Sequence, residues 1–72
     1  MTLKDFMKNV PLAHDTRIIV SGDVTFGALV LDTRFTVLSP AQINAQLNNI
    51  EGDLNLTSVS VYNNCIWLEL SN

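Results

Sequence analysis

The run Val59–Leu70, VSVYNNCIWLEL, constrains the fold more than any other part of the chain. Two β-prone stretches flank Asn63-Asn64, and asparagine tolerates the positive φ that a two-residue type I′ turn demands. Such a turn fixes the register. Tyr62 then faces Cys65, Val61 faces Ile66, Ser60 faces Trp67, Val59 faces Leu68 and Ser58 faces Glu69. Because side chains alternate across a strand, this register sorts them into two sets. Val59, Val61, Ile66 and Leu68 form one apolar face, expected to be the core. Ser58, Ser60, Tyr62, Cys65, Trp67 and Glu69 form the other. Serines and a glutamate there call for solvent, whereas a tryptophan beside a tyrosine calls for contact.

The segments before the hairpin supply the rest of an α+β domain. TLKDFMKNV begins with Thr2 as a cap, has Asp5 three residues on, and carries Leu3, Phe6, Met7 and Val10 at helical spacing. Pro11 ends that helix near Asn9 or Val10. TRIIVS, Thr16 to Ser21, reads as a strand, and SGD marks a turn. VTFGALVLD reads as a second strand with a bulge or close approach at Gly27. RFTVL, Arg34 to Leu38, is a third strand or the continuation of the second past a kink at Asp32-Thr33; the sequence leaves both open. SPAQINAQLNNIEG is a helix with Ser39 as N-cap, Pro40 at its first position and Gln42 completing a capping box. Ile43, Leu47 and Ile50 form its narrow apolar stripe, and Gly52 is placed to end it in the left-handed conformation. The expected architecture is a single domain over residues 1–72. It has a small, mostly antiparallel sheet of four or five strands with two short helices, in the order α-β-β(-β)-α-β-β.

Composition narrows the function. A 72-residue chain buries only about 60% of its unfolded surface, so its core is marginal without a supplement. One cysteine excludes an internal disulfide. One cysteine and one histidine fall short of a closed zinc site. No metal or cofactor is expected. Hydrophobic residues make up 47% and charged residues 15%, against about 25% charged in an average domain. So little charge on so small a body points to apolar surface covered by a partner. The net charge is −3 and the cations Lys4, Lys8, Arg17 and Arg34 form no cluster, which argues against direct nucleic-acid binding. The longest apolar runs are too short to span a membrane. The first ten residues do not read as a signal peptide, so a cytoplasmic location is expected.

The opening TLKDFMKNV, the strand-turn TRIIVSGD and the closing SVSVYNNCIWLEL together resemble small α+β proteins encoded by phages and other bacterial mobile elements. The resemblance covers the first twenty-odd and the last fifteen residues, and Val24 to Gly52 lies outside it. It implies a bacterial cytoplasmic setting and the inhibition of a host enzyme or defence system, anti-CRISPR proteins included. It transfers no functional residue.

No catalytic constellation stands out. Cys65 with His14 has no recognisable third group, and SGDVTFG lacks the spacing of a phosphate loop. Asp15, Asp23, Asp32, Glu51 and Asp53 fall at turns, where Asp serves turn geometry. The chain is therefore expected not to be an enzyme. The candidate interface is Ser60, Tyr62, Cys65, Trp67 and Glu69, since Trp and Tyr dominate binding hot spots. The partner expected there is another protein, either a host defence protein blocked by steric occlusion or a second copy of the chain. The alternative function is a homo-oligomer that binds or sequesters a nucleotide-type ligand.

Overall fold

The computed structural model describes residues 1–31 and 35–72, and the backbone alone at Leu29 and Val30. The order of elements is α1 (Leu3–Asn9), β1 (Ile18–Ser21), β2 (Val24–Phe26), β3 (Leu29–Leu31), β4 (Thr36–Leu38), α2 (Pro40–Leu47), β5 (Asn55–Tyr62) and β6 (Cys65–Ser71). The main sheet runs β4-β1-β6-β5. β4 and β5 lie antiparallel to their neighbours, while β1 and β6 are parallel. The fold is α+β, as expected, with one parallel contact at its centre.

Local chemistry accounts for the helices. The Thr2 side chain accepts a hydrogen bond from the Asp5 N–H at 3.2 Å and starts α1. Ser39 accepts from the Gln42 N–H while the Gln42 side chain accepts from the Ser39 N–H, a complete capping box for α2. α2 ends earlier than the sequence suggests. It stops at Leu47, Asn48 caps it, and Gly52 has no positive φ. The Asn48-Asn49 pair is a poor helix continuation, because asparagine offers its backbone competing hydrogen bonds. The chain leaves through a turn in which the Ile50 N–H reaches the Leu47 carbonyl.

Val24 to Leu31 is the second departure. Rather than one bulged strand, it is a hairpin, β2–β3, turning at Gly27-Ala28. Gly27 has φ +60° and Ala28 is not in the positive region, the pattern of a turn with Gly at its first central position. The Gln46 side chain accepts from the Ala28 N–H at 2.9 Å and fills the space a Cβ on Gly27 would need. β4 belongs to the other sheet, so it does not continue β3. The kink expected at Asp32-Thr33, and Arg34, lie outside the described residues.

The closing hairpin has the expected register at every pair from Ser58–Glu69 to Tyr62–Cys65, with Asn63 and Asn64 at φ 57° and 63°. Leu56 pairs with Leu70, so Thr57 is an extra residue in a bulge. Its hydroxyl donates to the Glu69 carbonyl at 3.1 Å and lies 3.3 Å from Glu69 Oε1.

The core lies on one face of the sheet. Ile18, Val20, Leu38, Leu56, Leu68 and Leu70 from the main sheet meet Leu3, Phe6, Ile43, Leu47, Val24, Phe26 and Leu31. Here the expected core is corrected. Leu68 is buried and Ile66 half-buried, but Val59 and Val61 are exposed, Val61 at 74%. Both are on the core side by register. They sit on the outermost strand toward the turn end, beyond the reach of the buried cluster.

The start of the chain is stitched to β5. The Leu3 N–H donates to the Leu54 carbonyl, the Leu56 N–H to the Met1 carbonyl, and Thr2 forms a bridge with Asn55. Asp53 accepts from the Lys4 and Leu54 N–H groups at 3.0 and 2.8 Å. Its slight burial pushes the carboxyl up, but the Thr2 hydroxyl, those two N–H groups and the Lys4 charge together hold it below the usual carboxylate range. A depressed carboxyl stabilises the fold above its unfolded pKa of about 3.9, and loses that effect as pH falls through its folded value.

Three outcomes follow in denaturant unfolding. Leu68→Ala should cost about 2–5 kcal/mol. Val61→Ala should change stability by less than about 0.5 kcal/mol. Asp53→Ala should destabilise slightly at neutral pH, and the gap to the parent should narrow as pH falls below the unfolded carboxyl value of about 3.9.

Candidate interaction face

Side-chain alternation and three pairing registers build the other face of the sheet. Val37 pairs with Ile19, Ile19 with Trp67 and Trp67 with Ser60, so one row crosses all four strands. Beside it runs Ser21–Glu69–Ser58, with Phe35 next to Ser21 just ahead of β4. On the other side lie Cys65 and Tyr62, with Arg17 preceding β1. None of these residues belongs to the buried core.

Trp67 is the centre of this face and is half-buried. Its indole N–H donates to the Tyr62 carbonyl at 3.2 Å, which fixes the ring over the end of the hairpin. The Phe35 ring meets it edge-on at 5.2 Å and 80°, and the Tyr62 ring at 6.5 Å and 60°. Such aromatic pairs contribute about 0.5–1.5 kcal/mol each beyond area burial. Phe35 is nevertheless 63% exposed, Val37 59% and Tyr62 71%. Next to the indole is an open depression of about 190 Å³ lined by Ser21, Phe35, Ser58, Ser60, Trp67 and Glu69. A cavity of about 150 Å³ holds benzene, so there is room here for one side chain.

The structure thus brings together all five residues singled out in the sequence: Ser60, Tyr62, Cys65, Trp67 and Glu69. It adds Phe35, Val37 and Ile19. Their contribution depends on which strand neighbours β6, which local pattern does not show. Ile18-Ile19-Val20 carried a usable signal, since an unbroken apolar run is typical of a central strand with apolar neighbours on both faces.

Other sequence candidates are not assembled. Cys65 lines an open polar depression with Asp15, Thr16, Arg17, Asn63 and Asn64, and His14 is not among its lining residues. Among the described residues no three His, Cys, Asp or Glu side chains cluster to hold a metal ion. No described helix is long and apolar enough to cross a membrane.

No protein-family model, curated protein sequence or solved structure matches the chain.

Trp67→Ala should cost about 1–2 kcal/mol in denaturant unfolding, less than the roughly 3–5 kcal/mol of a core tryptophan. Phe35→Ala should cost less than about 1 kcal/mol.

Proposed function

We propose that this protein acts by binding another protein through the open face of its sheet, without chemistry of its own. The observation that carries this reading is Trp67. It is held in one orientation by its own hydrogen bond, flanked by Phe35 and Tyr62, and left out of the core. Burying a tryptophan at an interface is worth about 2 kcal/mol or more, the scale of a hot spot. Ile19, Val37 and Phe35 extend the apolar area around it. The serine-lined depression beside the indole gives a partner side chain a place to seat.

The expected mode is steric occlusion. Glu69 and Arg17 flank the apolar row with opposite charges, so the face does not imitate a nucleic-acid backbone. In the setting that the sequence resemblance implies, the partner is a host enzyme or defence protein of the bacterial cytoplasm. Covering its working surface then inhibits it.

The test is site-specific photo-crosslinking in the cell that makes the protein. A benzophenone amino acid replaces Phe35 in one variant and Ala45, exposed on α2, in another. The proposal expects a discrete heteromeric adduct from position 35, none from position 45, and its loss when Trp67→Ala is added. It is overturned by equal adducts from both positions, by no adduct from position 35, or by an adduct with the mass of two copies of the chain.

A further inference from the structure

Among the described residues, the edge of β5 is bare along half its length. At its start the edge is covered, since the Met1 carbonyl accepts from the Leu56 N–H at 2.9 Å and Thr2 bridges to Asn55. From Ser58 to Tyr62 no described residue lies alongside it. The opposite edge strand, β4, is three residues long and so is protected by its shortness. Native edges are usually blunted by lysine, proline, bulges or shortness. The second half of β5 has none of these. Its bulge lies earlier, at Thr57, and no charged residue or proline occurs between Asp53 and Glu69.

The pairing with β6 shows which backbone groups face outward. Tyr62–Cys65 closes a two-residue turn and is a hydrogen-bonded pair, so the pattern alternates from there. Tyr62, Ser60 and Ser58 direct their N–H and C=O groups toward β6. Val61 and Val59 direct theirs away from the sheet. These two residues are also the exposed apolar ones on the core side of β5, at 74% and 47%.

We infer that this edge pairs with β5 of a second copy of the chain, antiparallel about a two-fold axis at Ser60. Val-Ser-Val reads the same in both directions. A two-fold axis at Ser60 therefore sets Val59 opposite the partner copy's Val61, and Val61 opposite its Val59. Both are hydrogen-bonded pairs in that register, so every outward N–H and C=O of the two valines is satisfied. The same register covers their exposed side chains with one another. Ser60 meets its own copy at a non-hydrogen-bonded position, and Ser58 meets Tyr62. A two-fold axis also brings like charge toward like charge, and this stretch carries none. Another apolar strand would satisfy the backbone as well, but the palindrome matches valine to valine specifically for a copy of itself. The two main sheets become one continuous sheet, and the open faces of both copies remain free. The inference is thus independent of what binds at Trp67.

An edge of this length buries less than the roughly 1,200 Å² of a standard stable interface, so the association is reversible, with a dissociation constant expected at about 1 μM or weaker. Sedimentation equilibrium of the unaltered protein from about 1 μM to 1 mM should show a monomer–dimer equilibrium. Val61→Lys should leave a monomer whose circular dichroism matches that of the parent. The register is tested by cysteine pairing in a Cys65→Ser background. Ser60→Cys places Cα atoms about 4.5 Å apart across the axis, inside the roughly 4.4–6.8 Å range of a disulfide. It should form a disulfide-linked dimer on mild oxidation. Ser58→Cys is about 13 Å from its copy, by four residues at about 3.3 Å each, and should not. A chain that stays monomeric throughout the concentration range overturns the inference. So does a dimer that survives Val61→Lys, or equal linkage by Ser58→Cys and Ser60→Cys.

Discussion

The parallel pairing of β1 with β6 is the contact on which the rest of the structure depends. It joins Ile18–Ser21 to Ile66–Glu69, near opposite ends of the chain. Among the described strands of the main sheet, β4 pairs with β1 alone and β5 with β6 alone, so neither flanking strand joins the sheet without it. The pairing sets Ile18 beside Ile66 and Val20 beside Leu68 on the core side, where Leu3, Phe6 and Ile43 close over them. Closing so long a loop costs entropy before any contact is gained. The apolar side chains of these central strands offset that cost, at about 25 cal/mol for each Å² removed from water.

The same pairing creates the asymmetry of the molecule. Alternation turns Ile19 and Trp67 away from the core at the positions where their neighbours turn inward. The buried cluster lies on one side, and among the described residues its members from α1, α2, β2 and β3 leave the other side uncovered. A domain of this size buries only about 60% of its unfolded surface, and here that burial is concentrated on one face of the sheet. The uncovered face carries Phe35, Val37 and Tyr62, exposed around the half-buried Trp67. Its aromatic residues are arranged by the fold rather than by a local motif.

Local rules made much of this legible. The Asn63-Asn64 turn fixed every pair from Ser58 to Glu69, and the caps at Thr2 and Ser39 marked both helix starts. Failures arose where tertiary context decides. Val59 and Val61 have the correct parity for the core, but parity says nothing about whether another element reaches that far along an edge strand. Gly27 within VTFGALVLD suggests a bulge or a close approach inside one strand; the glycine is closely approached, by the Gln46 side chain from α2, but at a full reversal of the chain. A missed signal lay in β5 itself. Leu54 and Leu56 fall on even positions, Val59 and Val61 on odd ones, and one apolar face changes parity only across a bulge. At the candidate face the hairpin residues were readable because one local turn orders them. Phe35, Val37 and Ile19 were not, because a nonlocal strand order brings them there.

The most direct measurement is a nuclear Overhauser spectrum of the Trp67 indole protons in solution. The central register predicts cross-peaks from the indole to the Ile19 side chain and to the Phe35 ring, and none to Ile43, Leu3 or Phe26. Indole contacts with Ile43, Leu3 or Phe26 in place of Ile19 would put Trp67 in the core. They would contradict both the β1–β6 register and the open face built on it.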